Sequence, residues 1–258
     1  MNIAILVVGE LRQVDLVKNH YDGCDVFVHT DEKWGKPFDA KYQYFTSNQQ
    51  KFVNETFTKD WGHRENFHRV VQWLRYQELL RNDLSNYDVI VKTRTDLDLN
   101  IDSIYDFLKD KEIKENTLYV KKDFMWYGTY DTIVETDFFN YIMFYVSKPP
   151  YYFLPLNYDV VLDCDLDSME FTWLNWDKII DFNGDIKKQI LENREWLYKN
   201  NSNYIKFNKD DNFHSEFKIN WSFCSEKFFL HFLLTKNIIM KNIGFKMKLR
   251  SKPLGGEC

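Results

Sequence analysis

The sequence predicts an α/β protein built on a parallel sheet. Three observations carry that reading. Residues 3–8, Ile-Ala-Ile-Leu-Val-Val, form an uninterrupted β-branched and apolar run, the pattern of a strand buried on both faces. The first thirty residues then read as strand, helix, strand, the unit from which parallel sheets are assembled. A third strand at Asp88–Thr93 follows the most periodic helix of the chain, Asn66–Leu80.

Each element has a local cause. Gly9 ends the first strand, and Leu11–His20 suits a helix that Asp22-Gly23 terminates. Cys24–His29 is the second strand, with Thr30-Asp31 as its exit. Residues 31–62 are polar and irregular, apart from a short strand around Tyr42–Phe45. In Asn66–Leu80 the residues Phe67, Val70, Val71, Leu74, Gln77 and Leu80 recur at spacings of three and four. Ser85–Tyr87 turns the chain into the third strand. Asp102 or Ser103 caps a short helix through Leu108. Thr117–Lys121 reads as a strand, Asp123–Thr129 as a loop, and Ile133–Val146 as an aromatic-rich helix that Pro149-Pro150 breaks. Further on, Tyr158–Asp167 reads as a strand entering an acidic turn, and Asp185–Tyr198 and Ser225–Leu234 as helices. Asn200–Asn212 reads as a loop, and Lys246–Cys258 as a fraying tail.

Composition narrows the function classes. The chain has 258 residues, enough to bury a full core, and a formal net charge of −5, which argues against a protein built to coat nucleic acid. Charged residues make up 28% and hydrophobic ones 44%, a globular balance. Aromatic content is high, at 18%. No apolar run approaches the roughly 20 residues a spanning helix needs, so no transmembrane segment is expected. The opening residues lack a basic leader and a cleavage site, so the protein is expected in the cytoplasm. The four cysteines, Cys24, Cys164, Cys224 and Cys258, have no metal-type spacing and read as free thiols.

The sharpest chemical feature is Asp96-Leu97-Asp98, directly after the third strand. Ligands of open α/β sheets sit beyond the carboxyl ends of the strands. Two carboxylates two residues apart can converge there on Mg²⁺ or Mn²⁺, ions that take oxygen ligands and complete their shells with substrate phosphates. The plainer alternative is a solvated turn with a helix-capping Asp. Asp163, Asp165 and Asp167 form a rival acidic cluster, more readily a surface turn. Arg94 stands between strand and acidic pair, where a guanidinium can fork onto phosphate or brace an Asp. Lys92 points to the other side of its strand. Gly9 permits close backbone approach to a ligand, but no second or third glycine follows, so no dinucleotide fingerprint or phosphate-cradling loop is present. His29 and Thr30 end the second strand at the same sheet edge, and Gln72 and Arg75 lie on the helix before the acidic strand. Plain structural roles compete for all four. Asp123, ahead of Phe124-Met125-Trp126-Tyr127-Gly128, and Glu226, just inside a helix start, are candidate catalytic carboxylates.

These residues, taken in order, resemble a known family. The stretches are Ile-Ala-Ile-Leu-Val-Val-Gly-Glu-Leu-Arg, Cys-Asp-Val-Phe-Val-His-Thr, Gln72-Trp73-Leu74-Arg75, and Tyr-Asp-Val-Ile-Val-Lys-Thr-Arg-Thr-Asp-Leu-Asp. Over about residues 1–130 the chain resembles nucleotide-sugar glycosyltransferases of the GT-A fold, and looks most like the WavE-like group of bacterial polysaccharide loci and large DNA viruses. A fainter echo lies at Ser225-Glu226-Lys227. The wording, rich in Asn, Lys, Phe and Ile, suits an AT-rich genome such as a large virus, hence a host cytoplasm.

The resemblance implies a Rossmann-like, mostly parallel sheet sandwiched by helices in one domain over 1–258. About 1–100 would be the nucleotide-binding half and about 101–258 the acceptor side. It implies a nucleotide diphosphate-sugar donor, UDP- or GDP-linked, a glycan or other hydroxyl acceptor, and Mn²⁺ or Mg²⁺ at Asp96 and Asp98. Gly9 and Arg12 would meet the nucleotide. His29, Thr30, Gln72, Arg75, Arg94 and Asp96 complete the expected cofactor-binding set. An inverting enzyme would take Asp123 or Glu226 as its base; a retaining one needs none. Family members often carry a small apolar residue and Gly after the acidic residue near 123, where this chain has Phe-Met-Trp-Tyr-Gly. A sugar nucleotidyltransferase, which would want a Gly-rich basic loop after the first strand, and an inactive sugar-binding module are the alternatives.

Overall fold

The computed structural model describes residues 1–9, 11–12, 14–36, 38–45, 67–121, 124–140 and 238–249, together with Phe229, Phe232, Leu233 and Lys236. In chain order the elements are β1 (Ile3–Val8), α1 (Val14–Val17), β2 (Asp25–Thr30), β3 (Tyr42–Phe45), α2 (Phe67–Leu80), β4 (Val89–Thr93) and β5 (Leu97–Leu99). These are followed by α3 (Ile104–Leu108), β6 (Thr117–Lys121), β7 (Met125–Gly128), α4 (Tyr130–Val134), β8 (Ile239–Asn242) and β9 (Met247–Leu249).

Seven strands form one sheet in the order β3-β2-β1-β4-β7-β6-β8, and β5 pairs with β9 in a separate two-stranded sheet. β1 runs parallel to both β2 and β4, β2 parallel to β3, and β6 parallel to β8. Only β7 is reversed, antiparallel to β4 and to β6. The expected α/β class with a mostly parallel sheet is therefore observed.

Period-two alternation divides the core. Ala4, Leu6 and Val8 of β1 face one cluster with Phe27, Ile90, Trp126 and the α2 residues Trp73, Tyr76 and Leu79. Ile3, Ile5 and Val7 face the other, with Val28, Val89, Val91, Tyr21, Leu97, Ile104 and Leu108. Helices thus cover both faces, which is why β1 reads as continuously apolar.

The inward face of α2 shares Val71 and Gln77, both buried, with the expected apolar stripe but centres elsewhere. Trp73, Tyr76 and Leu79 are the most buried of its described side chains, whereas Leu74 and Leu80 are only partly buried. The polar tip of Tyr76 is satisfied inside: its hydroxyl bonds Thr136 Oγ1 at 2.6 Å and accepts from Trp126 Nε1 at 3.3 Å. Trp126 stacks on Trp73 with ring centroids 5.8 Å apart.

Four other expectations are corrected. The helix expected over Leu11–His20 is only α1 plus a tight 3-10 turn, Lys18–Tyr21. The β-branched Val14 and Val17 favour helix weakly, and the 3-10 turn buries Tyr21 in the core. The loop expected over Asp123–Thr129 contains β7, because Met125 and Tyr127 fill one core and Trp126 the other. Gly128 ends it where a Cβ would lie 3.1 Å from the Thr117 carbonyl oxygen. The helix expected from Ile133 begins at Tyr130 and stops at Val134, where Thr136 Oγ1 donates to the Ile133 carbonyl at 2.7 Å. Part of the tail expected to fray is β9, tied to β5 and by the Asn100 N–H donating to Lys246 O at 3.0 Å. Ser103 caps α3, its hydroxyl accepting from the Asp106 N–H at 3.0 Å. The elements expected over 141–228, and the acidic cluster of Asp163, Asp165 and Asp167, lie outside the described residues.

Trp126→Ala removes a fully buried ring that packs against Trp73, Tyr76 and Phe229 and is expected to cost about 3–5 kcal/mol in urea denaturation. Ile239→Thr, at a half-exposed position of β8, is expected to change stability by no more than about 0.5 kcal/mol.

Candidate functional site

The chain leaves β1 toward β2 and β3, then returns through α2 to β4 on the opposite side of β1. The carboxyl ends of β1 and β4 therefore flank a point where strand order reverses, the place where open α/β sheets bind ligands.

Gly9 stands at that point with φ +101°, a backbone conformation that disfavours any side chain. Among the described residues a Cβ there would meet nothing within 4 Å, so the space in front of the backbone is open to them. Two hydrogen bonds tie this turn to the end of β2: Gly9 N–H donates to His29 O at 3.3 Å, and Thr30 Oγ1 donates to Gly9 O at 2.8 Å. Thr30 is fully buried, so its hydroxyl braces the glycine turn. Arg12, just beyond, is exposed.

His29 is buried against the Tyr44 ring, with centroids 5.7 Å apart. Burial pushes its imidazole down to about 4, and the Arg75 guanidinium adds to that shift. The ring is neutral at physiological pH. Arg75 is itself buried and lies 4.0 Å from an Asp31 carboxylate oxygen at the exit of β2. Gln72, one turn earlier on α2, is half-buried. So α2 delivers Arg75 to the same sheet edge as His29.

The acidic pair follows β4. Arg94 grips Asp96 with a two-pronged fork, Nε to Oδ1 at 2.9 Å and Nη2 to Oδ2 at 2.6 Å. Asp96 is buried, while Arg94 is about a quarter exposed and lies over the Phe124 ring at 5.6 Å. Asp98 sits on β5, a strand, and its backbone pairs opposite Lys248. Leu97 and Leu99 on either side are buried in the cluster that holds Ile3, Ile5 and Val7, so alternation turns Asp98 to the other face of β5.

Lys92 takes the opposite side of β4 from Val91, as its sequence position predicts. Its Nζ is buried 4.1 Å from the Trp126 ring centroid and 5.9 Å from that of Trp73. Lys92 therefore belongs to the core side of the site.

Sequence reasoning missed Tyr21. Its hydroxyl is buried beside Thr93 without reaching hydrogen-bond geometry. Burial holds its ionisation well above the usual phenol range; Thr93 opposes that shift and the Asp96 charge adds to it. No spacing in the sequence links residue 21 to residue 96. Asp123 and Glu226 lie outside the described residues.

Asp96 and Asp98 offer carboxylate oxygens, the ligand type a hard divalent cation takes, and both Asp96 oxygens accept from Arg94 in this structure. Mg²⁺ and Mn²⁺ are commonly held by one or two carboxylates plus substrate phosphates, and Asp96 and Asp98 supply that number. Among the described residues no group of three His, Cys, Asp or Glu side chains forms a cage. Cys24 is a free thiol, and among the described residues no helix is long and apolar enough to cross a membrane.

No family model matches the chain, and no curated protein matches it.

The depressed imidazole of His29 has a pH consequence. The unfolded chain takes up a proton as pH falls through about 6.5, while the folded chain resists until about 4. This contribution is complete above about pH 6.5 and lost as pH falls toward 4. Urea denaturation of wild type and His29→Gln is expected to show the wild type losing about 3 kcal/mol more than the variant between about pH 7 and pH 4.

Proposed function

We propose that the protein is a metal-dependent glycosyltransferase that moves a sugar from a nucleotide diphosphate-sugar to a hydroxyl acceptor. The observation that carries this reading is the meeting of two features at one edge. The Asp96–Asp98 pair emerges at the carboxyl end of β4, and the open turn at Gly9 emerges at the carboxyl end of the adjacent parallel strand β1. The mostly parallel sheet with helices on both faces agrees with the GT-A fold that the resemblance implies.

In this reading Gly9 lets the nucleotide approach the backbone, and Arg12 reaches it from the exposed side. Asp96 and Asp98 would hold Mn²⁺ or Mg²⁺, and the ion would supply Lewis acidity toward a leaving diphosphate. Arg94 presents a planar fork that suits phosphate as well as carboxylate. Thr30 holds the Gly9 turn in place. Buried Arg75 adds positive charge near the end of β2, in surroundings that strengthen its field. Asp123 and Glu226 are the candidates for the base that takes the acceptor's proton if configuration inverts. The enzyme is proposed to act in the cytoplasm.

Thermal shift with UDP, GDP, CDP and dTDP, each with and without Mn²⁺, tests this reading. One nucleotide is expected to stabilise the wild type only with Mn²⁺, by about 2.7 kcal/mol at 100 times its dissociation constant. Asp96→Asn and Asp98→Asn are expected to lose the effect. No shift with any nucleotide would contradict donor binding and leave a sugar-binding module as the better account.

A further inference from the structure

We propose that Tyr42 and Tyr44 form a stacking platform for an uncharged glycan that lies along β3 and points toward the candidate site. As the seat of the hydroxyl acceptor, the platform rests on the glycosyltransferase reading and gives that acceptor a place and a chemical class.

β3 is an edge strand of the large sheet. Tyr42 and Tyr44 alternate onto the same face of it, about 7 Å apart along the strand. Both stay exposed, at 46% and 41%. Register sets Tyr42 opposite Phe27 and Tyr44 opposite His29 on β2. Phe27 stacks on Tyr42 with ring centroids 5.2 Å apart and planes 24° apart. The inner face of Tyr42 is thus covered, and its other face is turned outward past the sheet edge. The Tyr44 ring leans on His29 at 5.7 Å, and its hydroxyl donates to Asn82 Oδ1 at 3.2 Å. Asn82 is itself fixed, its Nδ2 donating to the Leu79 carbonyl at 2.8 Å. Both rings are held before a ligand arrives, so little freedom is lost on binding.

The chemistry of this surface selects the occupant. An aromatic face carries partial negative charge, which the C–H groups on the flat side of a pyranose complement. The sugar hydroxyls stay at the rim and keep their water. A single nucleic-acid strand would also stack, but its phosphates call for uncompensated cations along the groove. The cations beside this platform are compensated. Lys41 pairs with Asp25 at 3.0 Å, and Arg81, next to Asn82 in the chain, pairs with Glu78. An uncharged glycan needs no such cations. β3 runs parallel to β2 and sets Phe45 opposite Thr30. A chain lying over Tyr42 and Tyr44 therefore points to the edge where Thr30 braces the Gly9 turn.

Saturation-transfer NMR on the full chain, with maltopentaose, cellopentaose, mannopentaose and chitopentaose as probes, tests the platform. At least one is expected to bind, with the strongest transfer at its ring C–H protons. In calorimetry Tyr42→Ala and Tyr44→Ala are each expected to weaken that probe about fivefold or more. Tyr42→Trp keeps a stacking face and is expected to bind within about twofold of wild type. No binding of any pentasaccharide, or equal binding in wild type and both alanine variants, would overturn the platform. So would loss of binding in a Tyr42→Trp variant that circular dichroism shows folded. Oligothymidylate binding that both alanine variants lose would overturn it in favour of a nucleic-acid strand. A wild-type dimer that both variants dissociate in sedimentation would overturn it in favour of a second copy of the chain. Nucleotide binding with Mn²⁺ is read separately on the same protein. Glycan binding without it would overturn the glycosyltransferase reading and leave the platform standing, and nucleotide binding without any glycan would do the reverse.

Discussion

The structure depends on β1 being paired on both sides. Its parallel bonds to β2 and β4 place Ala4 opposite both Asp25 and Ile90, and Val7 opposite both Val28 and Thr93. That register brings the ends of three strands level at one edge. It sets Gly9, His29-Thr30 and Arg94-Thr95-Asp96 side by side although they lie far apart in the chain. The constraint is hydrophobic before it is chemical. Each face of β1 packs into a separate core, and a slip of one residue would exchange them.

Charge at the sheet edge is arranged in compensated pairs. Arg94 neutralises Asp96, Arg75 lies near Asp31, and burial, with the Arg75 charge adding to it, keeps His29 uncharged. Buried ions need such partners, because an isolated charge there would carry a large desolvation penalty. At the amino end of the strands, Lys41 Nζ and Tyr87 OH both donate to Asp25 Oδ2, at 3.0 and 2.6 Å, and fasten β2 to the segments before β3 and β4. That cluster serves the fold, and the carboxyl end carries the candidate chemistry.

The sequence made some of this legible and hid the rest for physical reasons. β1, β2 and β4 were visible because buried parallel strands read as apolar runs. The Ser103 cap was visible because its hydroxyl sits at the helix start. β7 was hidden because Met-Trp-Tyr looks like a loop aromatic cluster until two cores claim alternate residues. β9 was hidden because its partner β5 lies some 150 residues earlier, roughly the separation at which local pattern carries no information. At the site, Asp96 and Asp98 could be nominated from their place after a strand. The grip of Arg94 on Asp96 was one of two open readings of Arg94. Tyr21 was invisible, since only tertiary packing buries a residue of the 3-10 turn before β2 in the same core as Leu97.

The most direct measurement is a crystal structure of the full chain grown with Mn²⁺ and the nucleoside diphosphate that stabilises it. The account predicts an anomalous manganese peak beside Asp96 and Asp98 and the nucleotide lying against the Gly9 turn. Nucleotide bound elsewhere, with no manganese beside Asp96 and Asp98, would contradict the account.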